Sequence, residues 1–202
     1  MSAAECANDY AALLLSIRHD LDIWCQDDAI AVKDNSQNML FERINASGIG
    51  LTIGSIGGST VNNITFRDST MYNTHKGVYM KFRRNDEGGR ITNIRYENIT
   101  IDNPSQWAIW IGPAQQSDSV RLCAPNGGCS TCWPRIESSE CLMGAGLYEN
   151  ITLKDITITG SSADFGPGVM IGNPEQPMRN VVFDNVIVTN PGSYPWGEPV
   201  GF

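Results

Sequence analysis

The stretch Asn93-Ile94-Arg95-Tyr96-Glu97-Asn98-Ile99-Thr100-Ile101 decides the fold, because the chain repeats it. Copies read Asn63-Ile64-Thr65-Phe66-Arg67-Asp68, Asn150-Ile151-Thr152-Leu153-Lys154-Asp155 and Asn180-Val181-Val182-Phe183-Asp184-Asn185, and a weaker one begins at Asn38. In chain order the starts lie 25, 30, 57 and 30 residues apart, so the wide interval holds either an extra repeat or a long insertion. After each start the apolar residues alternate, as in Ile99 and Ile101, Ile156 and Ile158, or Val186 and Val188. That period of two belongs to a half-buried strand.

A second short strand follows most copies: Gly50-Leu51-Thr52-Ile53-Gly54, Gly77-Val78-Tyr79-Met80-Lys81, Trp107-Ala108-Ile109-Trp110-Ile111 and Gly168-Val169-Met170-Ile171-Gly172. Several strands per repeat of about 20–30 residues, with no helical period between them, predict an all-β parallel β-helix in which each coil stacks on the last. A β-sandwich is the alternative, but it does not require self-similarity. Asn at one fixed place per coil suits a corner, since Asn tolerates the left-handed backbone and its amide can bond neighbouring main chain. The expected domain is a single solenoid over residues 1–202, with a Cys-rich loop insertion at about 113–146. Neither end carries an amphipathic cap, so missing coils or another chain are expected to cover the open ends.

Composition excludes several classes. Of 202 residues, 41% are hydrophobic and 18% charged, enough to build a core. Lys and Arg total 14 against 22 Asp and Glu, a net charge of −8 with no basic tract, which argues against nucleic acid as the main partner. The longest apolar run, Ala11 to Ile17, is too short for a membrane span and lacks the basic flank and cleavage site of an export signal. Cys123, Cys129, Cys132 and Cys141 crowd the insertion, and Cys6 and Cys25 lie near the start. One CxxC without a matching second pair favours disulfides over zinc, and four cysteines allow three pairings. Asn-x-Ser/Thr triplets occur at Asn45, Asn63, Asn98 and Asn150; with the clustered cysteines they point to a secreted, extracellular or cell-wall site, although two of them coincide with the repeat Asn.

The sharpest chemical feature is Cys25-Gln26-Asp27-Asp28-Ala29-Ile30-Ala31-Val32. Strict alternation would put Asp28 inside with Ile30 and Val32, where a lone carboxylate is costly. Either the strand bends there or the carboxylate is buried for a purpose. Two carboxylates at a bent strand start suit acid and base work on a glycosidic bond.

At these residues the chain resembles the family 28 glycoside hydrolases, the polygalacturonases and their relatives, which are right-handed parallel β-helices. Gln26-Asp27-Asp28 matches one part of the family signature. Ser47-Gly48-Ile49-Gly50-Leu51-Thr52-Ile53-Gly54-Ser55-Ile56-Gly57-Gly58 matches the Gly-His-Gly part with Ile49 in place of His, and Gly77-Val78-Tyr79-Met80-Lys81 matches the Arg-Ile-Lys part with Tyr79 in place of Arg. The Asn-Thr-Asp part is not recovered; Asn8-Asp9 is a weak candidate.

The resemblance implies inverting hydrolysis of an acidic, pectin-like polysaccharide with no cofactor and no metal. It assigns Asp27 as general acid, Asp28 as a carboxylate that activates water, and Lys81, Tyr79 and Gly50 as substrate-binding positions. Strand parity turns Tyr79 and Lys81 outward, and Trp110 likewise, where its ring could stack on a sugar. Lys76, Arg83 and Arg84 would add positive charge near Lys81, or else form a solvated loop. His19 and His75 receive no role. The alternative function is a catalytically inactive β-helix serving as a carbohydrate-binding or structural protein, motivated by Ile49, Tyr79 and the missing motif.

Overall fold

The computed structural model describes residues 7–10 (backbone only), 16–83, 88–115, 144–161 and 165–190. Twelve strands occur among them, and no helix: β1 (Ala7–Tyr10), β2 (Ser16–Trp24), β3 (Ile30–Val32), β4 (Gln37–Ser47), β5 (Leu51–Ile56), β6 (Thr60–Tyr72), β7 (Val78–Phe82), β8 (Arg90–Asp102), β9 (Ile109–Pro113), β10 (Leu147–Thr159), β11 (Gly168–Met170) and β12 (Arg179–Thr189). Even-numbered strands form one six-stranded sheet in the order β12-β10-β8-β6-β4-β2, and odd-numbered strands form the other, β1-β3-β5-β7-β9-β11. Every pairing within the two sheets is parallel. Each coil contributes one strand to each sheet, which makes the molecule the expected right-handed parallel β-helix.

The long even-numbered strands are bent rather than straight. Left-handed residues recur every five positions: Asn63, Asp68 and Asn73; Asn93, Asn98 and Asn103; Asn150, Asp155 and Gly160; Asn180, Asn185 and Asn190. Their φ values lie between 45° and 64°, a region open at low cost only to Gly and, through local hydrogen bonding, to Asn and Asp. The corner side chains also bond along the stack. The Nδ2 of Asn63 donates to Asn38 (2.7 Å), that of Asn98 to Asp68 (2.7 Å), that of Asn150 to Asn93 (3.0 Å) and that of Asn180 to Asn150 (2.8 Å). Three of the four Asn-x-Ser/Thr asparagines, Asn63, Asn98 and Asn150, therefore sit at corners with the amide engaged, and Asn45 donates to Asp22 (3.1 Å). Corner geometry gives Asn63, Asn98 and Asn150 a structural role of their own.

Between the sheets the core is a set of rows. Met39, Ile64, Ile94, Ile151 and Val181 are in register, as are Phe41, Phe66, Tyr96, Leu153 and Phe183. Phe41 stacks on Phe66 at 4.9 Å between ring centroids, and Phe66 on Tyr96 at 4.7 Å. The Tyr96 hydroxyl, buried in this row, donates to the carbonyl of Leu51 at 2.9 Å, so the aromatic fits without an orphaned polar atom. From the second sheet, Ile30, Leu51, Val78 and Ile109 supply the facing row.

The 57-residue interval is settled by register. β10 pairs directly with β8, Ile151 opposite Ile94 and Leu153 opposite Tyr96, so no extra coil intervenes. The four clustered cysteines and Cys6 lie outside the described residues. In the last described coil Val181, Phe183, Val186 and Val188 are only partly buried, because among the described residues no further coil stacks on them.

Candidate active site

The candidate site lies on the outer face of the odd-numbered sheet, at the start of β3 and across β5 and β7. The chain bends at Gln26 and Asp27, and β3 begins only at Ile30. The bend resolves the parity conflict. Ala29, Ile30 and Val32 enter the core, while Asp28 turns its carboxylate to the outer side, where the hydroxyl of Thr52 donates to its Oδ1 (2.6 Å) and the Nζ of Lys81 lies 3.1 Å from its Oδ2. Asp28 is only 6% exposed, but it is not a lone buried charge. Asp27 beside it is exposed, and its Oδ1 accepts the backbone N–H of Asp28 at 2.7 Å.

Lys81 reaches Asp28 from two coils away. Gly54 makes the approach possible: its φ is +128°, and a Cβ there would lie 2.3 Å from the Lys81 carbonyl oxygen. Burial pushes the Lys81 ammonium below its ordinary pKa, and the Asp28 carboxylate acts in the opposite direction.

Lys81 Nζ also sits 4.1 Å from the centroid of the Tyr79 ring, a cation–π contact. Thr52, Tyr79, Trp110 and Val169 form one outward row, one residue per coil. Tyr79 and Trp110 depart from the expectation of open aromatic faces. They are 2% and 1% exposed; the Tyr79 hydroxyl accepts the Gln115 backbone N–H at 3.2 Å, the Trp110 indole N–H donates to Pro113 at 2.9 Å, and Trp107 packs on Trp110 with centroids 5.1 Å apart. Trp110 is therefore corrected from a sugar-stacking surface to a covered ring. Gly50 is buried as well, and its lack of a side chain has a packing reason: a Cβ would meet the carbonyl oxygens of Gly77 at 3.1 Å and Lys76 at 3.3 Å.

Lys76, His75 and Thr52 belong to the same place; the sequence left Lys76 between added charge near Lys81 and a solvated loop, and gave His75 and Thr52 no role. Lys76 is not in a solvated loop; it is 2% exposed, with its ammonium on Gln106 Oε1 (2.7 Å) and 4.8 Å from the Tyr79 centroid. His75 lines an open depression of about 300 Å³ together with Gln26, Gly48, Ile49 and Ser105, and its Nδ1 lies 2.9 Å from the Ser105 hydroxyl. Burial, then the neighbouring Lys76 charge, lower its pKa to about 4. Thr52 had no signal of its own beyond its outward parity. Arg83 is exposed and pairs with Asp34 at 3.2 Å; Arg84 lies outside the described residues.

A model of the glycosyl hydrolases family 28 matches residues 17–123, more than half of the chain, including the bend, Thr52 and Lys81. The chain belongs to that family. Among curated members of family 28, a probable endopolygalacturonase D of Aspergillus flavus is 34% identical over 167 residues, covering 81% of this chain and 30% of the relative. The endopolygalacturonase D of Aspergillus niger is 32% identical over 157 residues, covering 69% and 30%. The chain thus spans about 30% of the length of these relatives. The solved endo-xylogalacturonan hydrolase of Aspergillus tubingensis superposes with a TM-score of 0.58 at 17% identity, over 90% of this chain and 45% of that one, which establishes the shared β-helix fold. No helix among the described residues is long and apolar enough to cross a membrane.

Proposed function

We propose that this chain carries the catalytic face of a polygalacturonase-type glycosidase that cleaves an acidic, pectin-like polysaccharide with inversion. One observation carries the reading: an exposed Asp27 next to an Asp28 whose carboxylate is held by Lys81 and Thr52. The two carboxylates are adjacent in sequence but unlike in environment, which is how acid and base roles are separated within one site. Asp27, open to solvent, donates a proton to the leaving oxygen as the glycosidic C–O bond breaks. Asp28, an acceptor with both oxygens engaged, takes the proton of the water that attacks the anomeric carbon. Lys81, beside Asp28, gives a uronate carboxylate a cationic partner.

The relatives named as endopolygalacturonases support the substrate class, and the family supports hydrolysis. A polymer of that kind places the protein outside the cell or in the cell wall. The test is release of reducing ends from polygalacturonate by the purified chain, compared with Asp27→Asn. The reading predicts turnover that falls at least about a hundredfold in the variant; hydrolysis unchanged by Asp27→Asn would overturn it, and binding without turnover would identify an inactive member.

A further inference from the structure

Lys76 is the buried group that the proposed chemistry leaves unexplained. Its ammonium has three N–H donors, yet among the described residues it meets one acceptor, Gln106 Oε1, and one ring face, that of Tyr79. No carboxylate makes an ion pair with it there. A desolvated ammonium without a counter-ion opposes folding, so an apolar side chain of similar length would be better for stability alone. Its position is also specific. The Lys76 backbone N–H donates to the carbonyl of Ile49 at 2.7 Å, and that of Ile49 to the carbonyl of Asp27 at 2.8 Å, which stacks Lys76 two coils beyond the Asp27-Asp28 bend, and it shares the Tyr79 ring with Lys81.

The local charge balance runs against that of the whole molecule. The chain carries −8, but here two lysines, Lys76 and Lys81, share the Tyr79 ring, and Lys81 is paired with Asp28. Among the described residues no carboxylate forms an ion pair with Lys76.

We propose that Lys76 is a specificity-determining positioning residue: its ammonium, held under the outer face by Gln106 and Tyr79 with no carboxylate partner among the described residues, gives the site its preference for a sugar bearing a carboxylate over the neutral form of the same sugar. The inference rests on the glycosidase reading above and adds to it the residue that selects the charged substrate. Lys76 does not touch the saccharide; it acts through the Tyr79 ring and the Lys81 ammonium, in a low-dielectric setting where one charge counts for more than at the surface. Burial, followed by the Lys81 charge, brings its pKa down to about 7, and Asp28 opposes this. The other titratable neighbour on its own segment, His75, changes charge only near 4, and Tyr79 is raised by burial. The preference for the acidic sugar therefore fades as pH rises through about 7.

The experiment measures, on the full chain carrying Asp27→Asn to prevent turnover, calorimetric binding of an oligogalacturonate and of its fully methyl-esterified form, with Lys76→Met, Lys76→Arg and the distant charge control Lys154→Met. Lys76→Met is expected to lose about tenfold in affinity for the acid, the size of one poorly screened charge contact, with the ester unaffected. Lys76→Arg keeps the preference to higher pH, and Lys154→Met changes neither. The thermal midpoint of Lys76→Met should rise by about 2–6 °C, which a packing role would not produce. Equal affinity of Lys76→Met and the parent for the acid, or a lowered midpoint with both ligands weakened together, overturns the inference and leaves the glycosidase reading standing. A parent chain that binds neither ligand overturns both.

Discussion

The two sheets of this β-helix face outward in different ways. Around the even-numbered sheet most corners repeat the same solution: a left-handed Asn or Asp, with Arg43 and Gly160 the departures, amides bonded along the stack, and an apolar residue inside. Across the odd-numbered sheet the inner rows repeat, Leu51 to Val78 to Ile109, but the outer row does not; Thr52, Tyr79, Trp110 and Val169 share nothing but their place. Repetition marks where stacking energy is gathered, because identical neighbours satisfy each other in register. Its absence marks where side chains were placed for something other than stacking. Asp28, Lys76 and Lys81 are all there.

Mutations can break this division. The largest effect is expected from Asp27→Asn, a loss of about 10²–10⁴ in the rate of reducing-end release with the thermal midpoint unchanged, since Asp27 is exposed; a large fall in midpoint would show the outer face to be structural after all. Phe66→Ala is the counterpart on the repeating side. It removes the middle ring of the Phe41–Phe66–Tyr96 stack and should cost about 3–5 kcal/mol in urea unfolding, with the activity of the folded fraction retained. Lys81→Met strips the partner from a buried carboxylate and should cost about 3 kcal/mol while also abolishing activity, so it is the one site where the two sides meet. Asn98→Ala combines a lost ladder bond with a left-handed backbone and should cost about 1–2 kcal/mol; Asn98→Gly, free of the backbone term, should cost visibly less.

The mildest test uses pH. His75 has a folded pKa of about 4 against its ordinary 6.5, so between these values the unfolded chain binds the extra proton and stability falls as pH is lowered through that window. His75→Gln should flatten that part of the urea-midpoint profile between pH 7 and pH 4.5. A profile unchanged by the substitution would show that burial of the imidazole does not penalise its charge.

Much of the scaffold was legible because its period is local. Asn at fixed spacing and alternating aliphatics reveal corners and strands without knowing what stacks on what. The site was legible in part. Gln26-Asp27-Asp28 and Lys81 stood out by motif and the structure brings Asp28 and Lys81 together, but Trp110 was misjudged, since parity tells which side of a sheet a ring is on and not whether Trp107 covers it. For Lys76 the sequence left two readings open, charge near Lys81 or a solvated loop, and only Gln106, a coil further on, and Tyr79 explain why it is inside.

By itself, then, the order of residues determined the coil, its corners and the identity of the acidic pair, because these depend on neighbours within one repeat. The tertiary structure decided which charges meet. Asp28 finds Lys81 across 53 positions and Lys76 finds Gln106 across 30, and such partners are chosen by the stacking register, a property of the assembled coils that no single repeat contains.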